Sequence, residues 1–66
     1  MNITLNGQAH TINDGTTISE LITSLDLQNK RLAVEVNQAL IIRAEFPDYP
    51  LKDQDTVEIV QAIGGG

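Results

Sequence analysis

Few side chains in these 66 residues could carry a reaction. There is one histidine, His10, and no cysteine, so a thiolate nucleophile, a thiolate metal site and a disulfide framework are excluded. A lone histidine with no cysteine to activate is expected to be functionally silent. Asp53 and Asp55 stand two apart, as a metal-binding or acid/base pair would, but no EF-hand spacing surrounds them. Acids in a turn ahead of a strand are expected to be solvated. The patterns G-x-S-x-G, H-E-x-x-H and the P-loop do not occur. Autonomous catalysis is therefore not expected, and neither is a metal site or a bound cofactor.

One reactive group remains, the carboxylate after Val57-Glu58-Ile59-Val60-Gln61-Ala62-Ile63-Gly64-Gly65-Gly66. Val57 and Ile59 alternate with Glu58 and Val60, the period of a half-buried strand. The glycines that follow carry no side chains, and three extended residues reach about 10 Å. That is far enough to carry the Gly66 carboxylate off the domain and into another protein's active site. Glycine suits a thread, because any side chain would widen it and block close backbone approach. Ordering such a tail costs entropy until a partner holds it. With Val57 and Ile59 turned inward, Val60 and Ala62 point outward and Ile63 opens the tail, so these three are the expected docking patch. A frayed end has the same composition, and that reading stays open.

The elements that must position this tail can be read in order. Met1, Ile3 and Leu5 alternate with Asn2 and Thr4, and Asn6-Gly7 then signals a tight hairpin returning over Gln8 to Ile12. Asn13-Asp14-Gly15 ends it. Thr17-Ile18-Ser19-Glu20 is a capping box, and Ile18, Leu21, Ile22 and Leu25 make one helical face apolar. A helix of about ten residues does not stand alone and must lie on a sheet. Leu32, Val34 and Val36 mark a third strand, and Asn37-Gln38 turns the chain into a short segment over Ala39 to Ile42. Arg43 to Pro50 holds both prolines and reads as an irregular crossover with room for one short helical turn. Lys52-Asp53-Gln54-Asp55 then delivers the last strand. This is an α+β layout with one main helix on one face of a mixed sheet of four to five strands. The expected inward set is Ile3, Leu5, Ile18, Leu21, Ile22, Leu25, Val34, Val36, Leu51, Val57 and Ile59.

Length allows one small domain of marginal stability, too small to enclose a ligand pocket. The boundary is expected at residue 63, with 64–66 a flexible glycine tail. Four basic against nine acidic residues give a net charge of -5, which argues against nucleic acid and favours solubility or steering toward a basic groove. No signal peptide or membrane span is expected, and the lack of cysteine in so small a domain points to a cytoplasmic setting.

Taken in order, Met1 to Gly7, Thr17 to Leu25, Val34-Glu35-Val36-Asn37, Ile42-Arg43, Leu51-Lys52-Asp53, Asp55 to Val60 and the final Gly65-Gly66 resemble the ThiS-type sulfur carriers of thiamine biosynthesis. These are ubiquitin-like β-grasp proteins related to the longer MoaD-type carriers, and the resemblance covers the whole chain. It departs at Gln54-Asp55, where the family commonly has Gly-Asp. Gln reaches positive φ only at a steric cost, so the turn there is open to rebuilding.

The resemblance implies that an E1-like adenylyltransferase of the ThiF type spends ATP to adenylate Gly66. A persulfide-bearing sulfur donor would then convert Gly66 to a thiocarboxylate, and a thiazole synthase of the ThiG type would take the sulfur. Gly64 and Gly65 would be the thread, and Val60, Ala62 and Ile63 part of the docking face. The chain itself would be a carrier and not an enzyme. A carrier serving another sulfur pathway, a ubiquitin-like modifier and a non-covalent β-grasp module remain as alternatives.

Overall fold

The chain folds where its hydrophobic period switches between two and 3.6, and the computed structural model describes residues 1–61. Two strands, β1 (Asn2–Leu5) and β2 (Gln8–Thr11), pair antiparallel across Asn6-Gly7. Asn6 and Gly7 take φ of 49° and 81°, the left-handed pair whose twist matches that of the flanking strands. The helix α1 (Ile18–Ser24) begins with the capping box intact. The Thr17 hydroxyl accepts from the Glu20 N–H at 3.2 Å, and the Glu20 carboxylate accepts from the Thr17 N–H at 2.9 Å. It stops at Asp26, whose φ is 61°; the Asp26 and Leu27 N–H groups turn back to the Thr23 and Ile22 carbonyls. That crossed pair satisfies carbonyls the helix end would otherwise orphan.

After α1 come β3 (Leu32–Val36), β4 (Ala39–Ile41), a 3-10 helix (Arg43–Asp48) and β5 (Thr56–Gln61). The sheet order is β2-β1-β5-β3-β4. The strand that leads into the tail is therefore the middle one, parallel to β1 and antiparallel to β3. Central placement gives it a ladder on both sides. This is a five-stranded mixed sheet with one main helix on one face, the expected β-grasp.

The core gathers Ile3, Ile18, Leu21, Ile22, Val34, Val36, Ile41, Phe46, Leu51, Val57 and Ile59. Two expected members, Leu5 and Leu25, are only partly buried and pack at its margin. Ile41 and Phe46 take their places. Phe46 enters because the crossover is more ordered than its prolines suggest: it winds into a six-residue 3-10 helix that includes Pro47. The Ile18 N–H donates to the Tyr49 carbonyl at 3.0 Å and the Leu51 N–H to the Thr16 carbonyl at 2.8 Å, fastening the crossover to the start of α1. Among the described residues no helix is long and apolar enough to cross a membrane.

Gln54 does not rebuild its turn. It takes φ 72°, its N–H donates to the Asn2 carbonyl at 2.7 Å, and the Asp55 N–H closes the turn on the Lys52 carbonyl at 3.1 Å. The left-handed conformation is held by these bonds against the Cβ clash that disfavours it. Gln54→Gly removes that clash and adds unfolded-chain entropy, so a net gain of roughly 0.5–1 kcal/mol is expected, read as a melting temperature a few degrees higher.

Candidate functional site

The approach to the tail is built by two asparagines that clamp β5 from opposite sides. Asn6, in the first hairpin turn, accepts the Ile59 N–H on its side-chain oxygen at 2.8 Å and donates its side-chain amide to the Ile59 carbonyl at 3.2 Å. It thus extends the β1–β5 pairing past the point where β1 ends. Asn37, in the second turn, accepts the Thr56 N–H at 2.9 Å and donates its own backbone N–H to the Thr56 carbonyl at 2.7 Å. Both sit at positive φ, 49° and 51°, a conformation Asn tolerates better than most residues. Sequence reasoning credited them with turns only. Asn6→Ala strips two bonds from a half-buried backbone and is expected to destabilise by roughly 1–3 kcal/mol. Asn6→Gly keeps the turn and loses the same bonds, so the two variants should weaken amide-exchange protection at Ile59 alike.

The acids of the last turn are structural. Asp55 is not solvated as expected: it is 8% exposed and accepts the Lys52 N–H at 2.8 Å and the Asn37 side-chain amide at 2.9 Å. Its burial follows from Asn37, which lies 18 residues earlier, so no local pattern reveals it. Asp53 is exposed and accepts the Asn2 N–H at 2.8 Å, and that bond foremost holds its carboxyl below the usual carboxylate range.

His10 lies on β2 opposite Ile3 and shares a surface groove of about 480 Å³ with Thr16, Glu20 and Ser24. The grouping suggests a triad, but its members are committed elsewhere. The Glu20 carboxylate closes the capping box, and the Ser24 hydroxyl donates to the Leu21 carbonyl at 2.6 Å. Among the described residues no cluster of three metal-ligating side chains occurs.

Val60 points outward as expected and is 63% exposed. It stands opposite Ala33 on β3, and the register that sets Val34 against Ile41 carries Ala33 toward Ile42. Ile42 and Leu40 are 60% and 67% exposed, so the open face of the sheet carries an apolar strip beside the end of β5. Leu40 and Ile42 were absent from the expected docking patch. The alternation Leu40-Ile41-Ile42 carried the signal, but a three-residue strand has no facing until its partner fixes one. On the same face Glu35 stands directly opposite Glu58. The other expected site positions, Ala62, Ile63, Gly64, Gly65 and Gly66, and the domain boundary at 63, lie outside the described residues.

A central strand leading toward a glycine-rich end, beside an exposed apolar strip, is the setting in which the likeness to known proteins falls. The sequence profile of the ThiS family matches residues 3–66. The chain belongs to the ThiS family. It is 36% identical to the sulfur carrier protein ThiS of Thermus thermophilus over 94% of this chain and 95% of that one. The crystal structure of the thiamine biosynthesis protein ThiS from Geobacter metallireducens superposes with a TM-score of 0.85 at 33% identity, covering all of both chains. A thiazole synthase of Magnetococcus marinus is 38% identical across the full chain, which spans only 20% of that larger protein. The Thermus relative, which is of about this chain's length, is named as a carrier and not as an enzyme.

Proposed function

We propose that the chain carries sulfur for thiamine biosynthesis as an acyl group on Gly66. An adenylyltransferase of the ThiF type binds the open sheet face and threads Gly64 and Gly65 into its active site. A Gly66 carboxylate oxygen attacks the α-phosphorus of ATP, the α–β anhydride bond breaks, and pyrophosphate leaves. ATP is consumed by that partner; the carrier holds no cofactor of its own. The outer sulfur of a persulfide protein then attacks the acyl carbon and AMP departs. Cleavage of the resulting S–S bond by a thiol, which becomes part of a disulfide, leaves the thiocarboxylate. A thiazole synthase of the ThiG type takes the sulfur. Persulfides and free thiols require a reducing compartment, which favours the cytoplasm.

The observation that carries this reading is the family match, which continues through the glycines to residue 66. The Magnetococcus protein supports the choice of acceptor, since a stretch similar to this whole chain is built into a thiazole synthase. Val60, Ile42 and Leu40, with Ala62 and Ile63, supply the apolar contact. The directly opposed Glu35 and Glu58 disfavour each other in isolation, and a basic partner side chain laid between them relieves that.

The test is the intact mass of the chain from host cells lacking thiazole synthase, where the loaded form accumulates. A gain equal to the difference between sulfur and oxygen is expected. A gain equal to a second polypeptide would replace the carrier with a modifier, and an unchanged mass would reject loading.

A further inference from the structure

Charge is distributed unevenly over this acidic chain. Of its four basic residues, Lys30 and Arg31 directly precede β3 and Arg43 follows β4, and the antiparallel pairing of those strands sets the start of β3 beside the end of β4. Leu32, next after Lys30 and Arg31, is the residue paired with Gln61 at the end of β5. Arg43 lines a shallow groove with that same Leu32, and with Ile22, Gln28 and Phe46. All three cations are exposed, and among the described residues none is in an ion pair; Glu45, two residues on from Arg43, does not bridge to it. The fourth, Lys52, precedes β5 and so lies at the other end of that strand, roughly 17 Å away for six residues.

We propose that Lys30, Arg31 and Arg43 form a cationic collar that docks on an acidic rim around the tail channel of the activating enzyme. The proposal rests on the carrier reading above. Reach decides in favour of a rim over the reaction centre. Gly66 is five positions beyond Gln61, at most about 17 Å when extended. With the tail threaded to its tip, a collar at its base stands outside the nucleotide site, against the protein surface that surrounds the entrance. Charges so placed act on encounter and orientation, and their effect is screened by salt.

The test is adenylation measured as ATP–pyrophosphate exchange with the full chain and its adenylyltransferase, at low and high salt. The variant carries Lys30→Glu, Arg31→Glu and Arg43→Glu together. A second carries the three Gln replacements, and Lys52→Glu is the control; melting curves show which of them fold. The expected result is a carrier KM raised on the order of tenfold or more at low salt, with kcat and the KM for ATP unchanged. The Gln variant should fall between, the gap should close at high salt, and Lys52→Glu should match the parent. A carrier KM unmoved in the Gln variant, or moved equally by Lys52→Glu, overturns the collar. A raised KM for ATP would instead make it a nucleotide contact and also overturn the rim. If the parent chain itself supports no exchange, the carrier reading fails, and the collar with it.

Discussion

Leu21→Ala is expected to remove a large share of the chain's stability and to lower its melting temperature by at least about 10 °C. Leu21 is fully buried in the middle of the α1 face, between Ile18 and Ile22 and against the sheet. Removing its side-chain carbons opens a cavity and forfeits their transfer energy, about 2–5 kcal/mol together. At the usual 0.05–0.15 kcal/mol per residue, a domain this small has only roughly 3–10 kcal/mol in all. The seven-residue helix cannot survive by propensity, so loss of its anchor releases α1 and the crossover fastened to its start. Circular dichroism melting and amide dispersion in NMR spectra would read this directly. Leu40→Ala is the contrast: the same chemical change on an exposed residue should stay within about 0.5 kcal/mol. Similar effects for the two would show that burial is not what separates them.

The parts of the fold legible in the sequence are those decided within a few residues. Asn6-Gly7 names its own turn, Thr17 and Glu20 cap each other, and Leu32 to Val36 alternates cleanly enough that its bounds are those observed. What escaped notice depends on partners that only the assembled sheet brings together. The burial of Asp55 needs Asn37, the clamp on Ile59 needs Asn6, and the outward turn of Leu40 and Ile42 needs the register of β4 against β3. Phe46 was hidden by its neighbour Pro47, which argues against an α-helix but sits readily in a 3-10 segment. The candidate site divides along the same line. Its glycines are plain in the sequence because their meaning is the absence of side chains. The exposed apolar strip is assembled from β3, β4 and β5 and exists only once the sheet has formed.

Gly65→Val is expected to abolish loading of the chain while leaving its melting temperature unchanged. Gly65 comes four residues after β5 (Thr56–Gln61) and has no side chain to bury, so replacing it removes no apolar side-chain contact. Threading is what the change affects. Valine adds a branched side chain with one preferred χ1 to a segment that, in the proposed mechanism, passes between enzyme walls, and it removes half of the backbone conformations glycine offers. One residue added after Gly66 tests reach in place of width. It displaces the carboxylate by about 3.5 Å, and a misplacement of about 1 Å already lowers such reactions on the order of a hundredfold. Both variants should therefore give no measurable adenylate with the activating enzyme and no thiocarboxylate by mass, with a parental melting curve. Retention of either product would mean that the acyl group is not delivered through a narrow channel, and the carrier mechanism would have to be abandoned. Loss of both product and fold in Gly65→Val would contradict the separation of a structural body from a chemical tail.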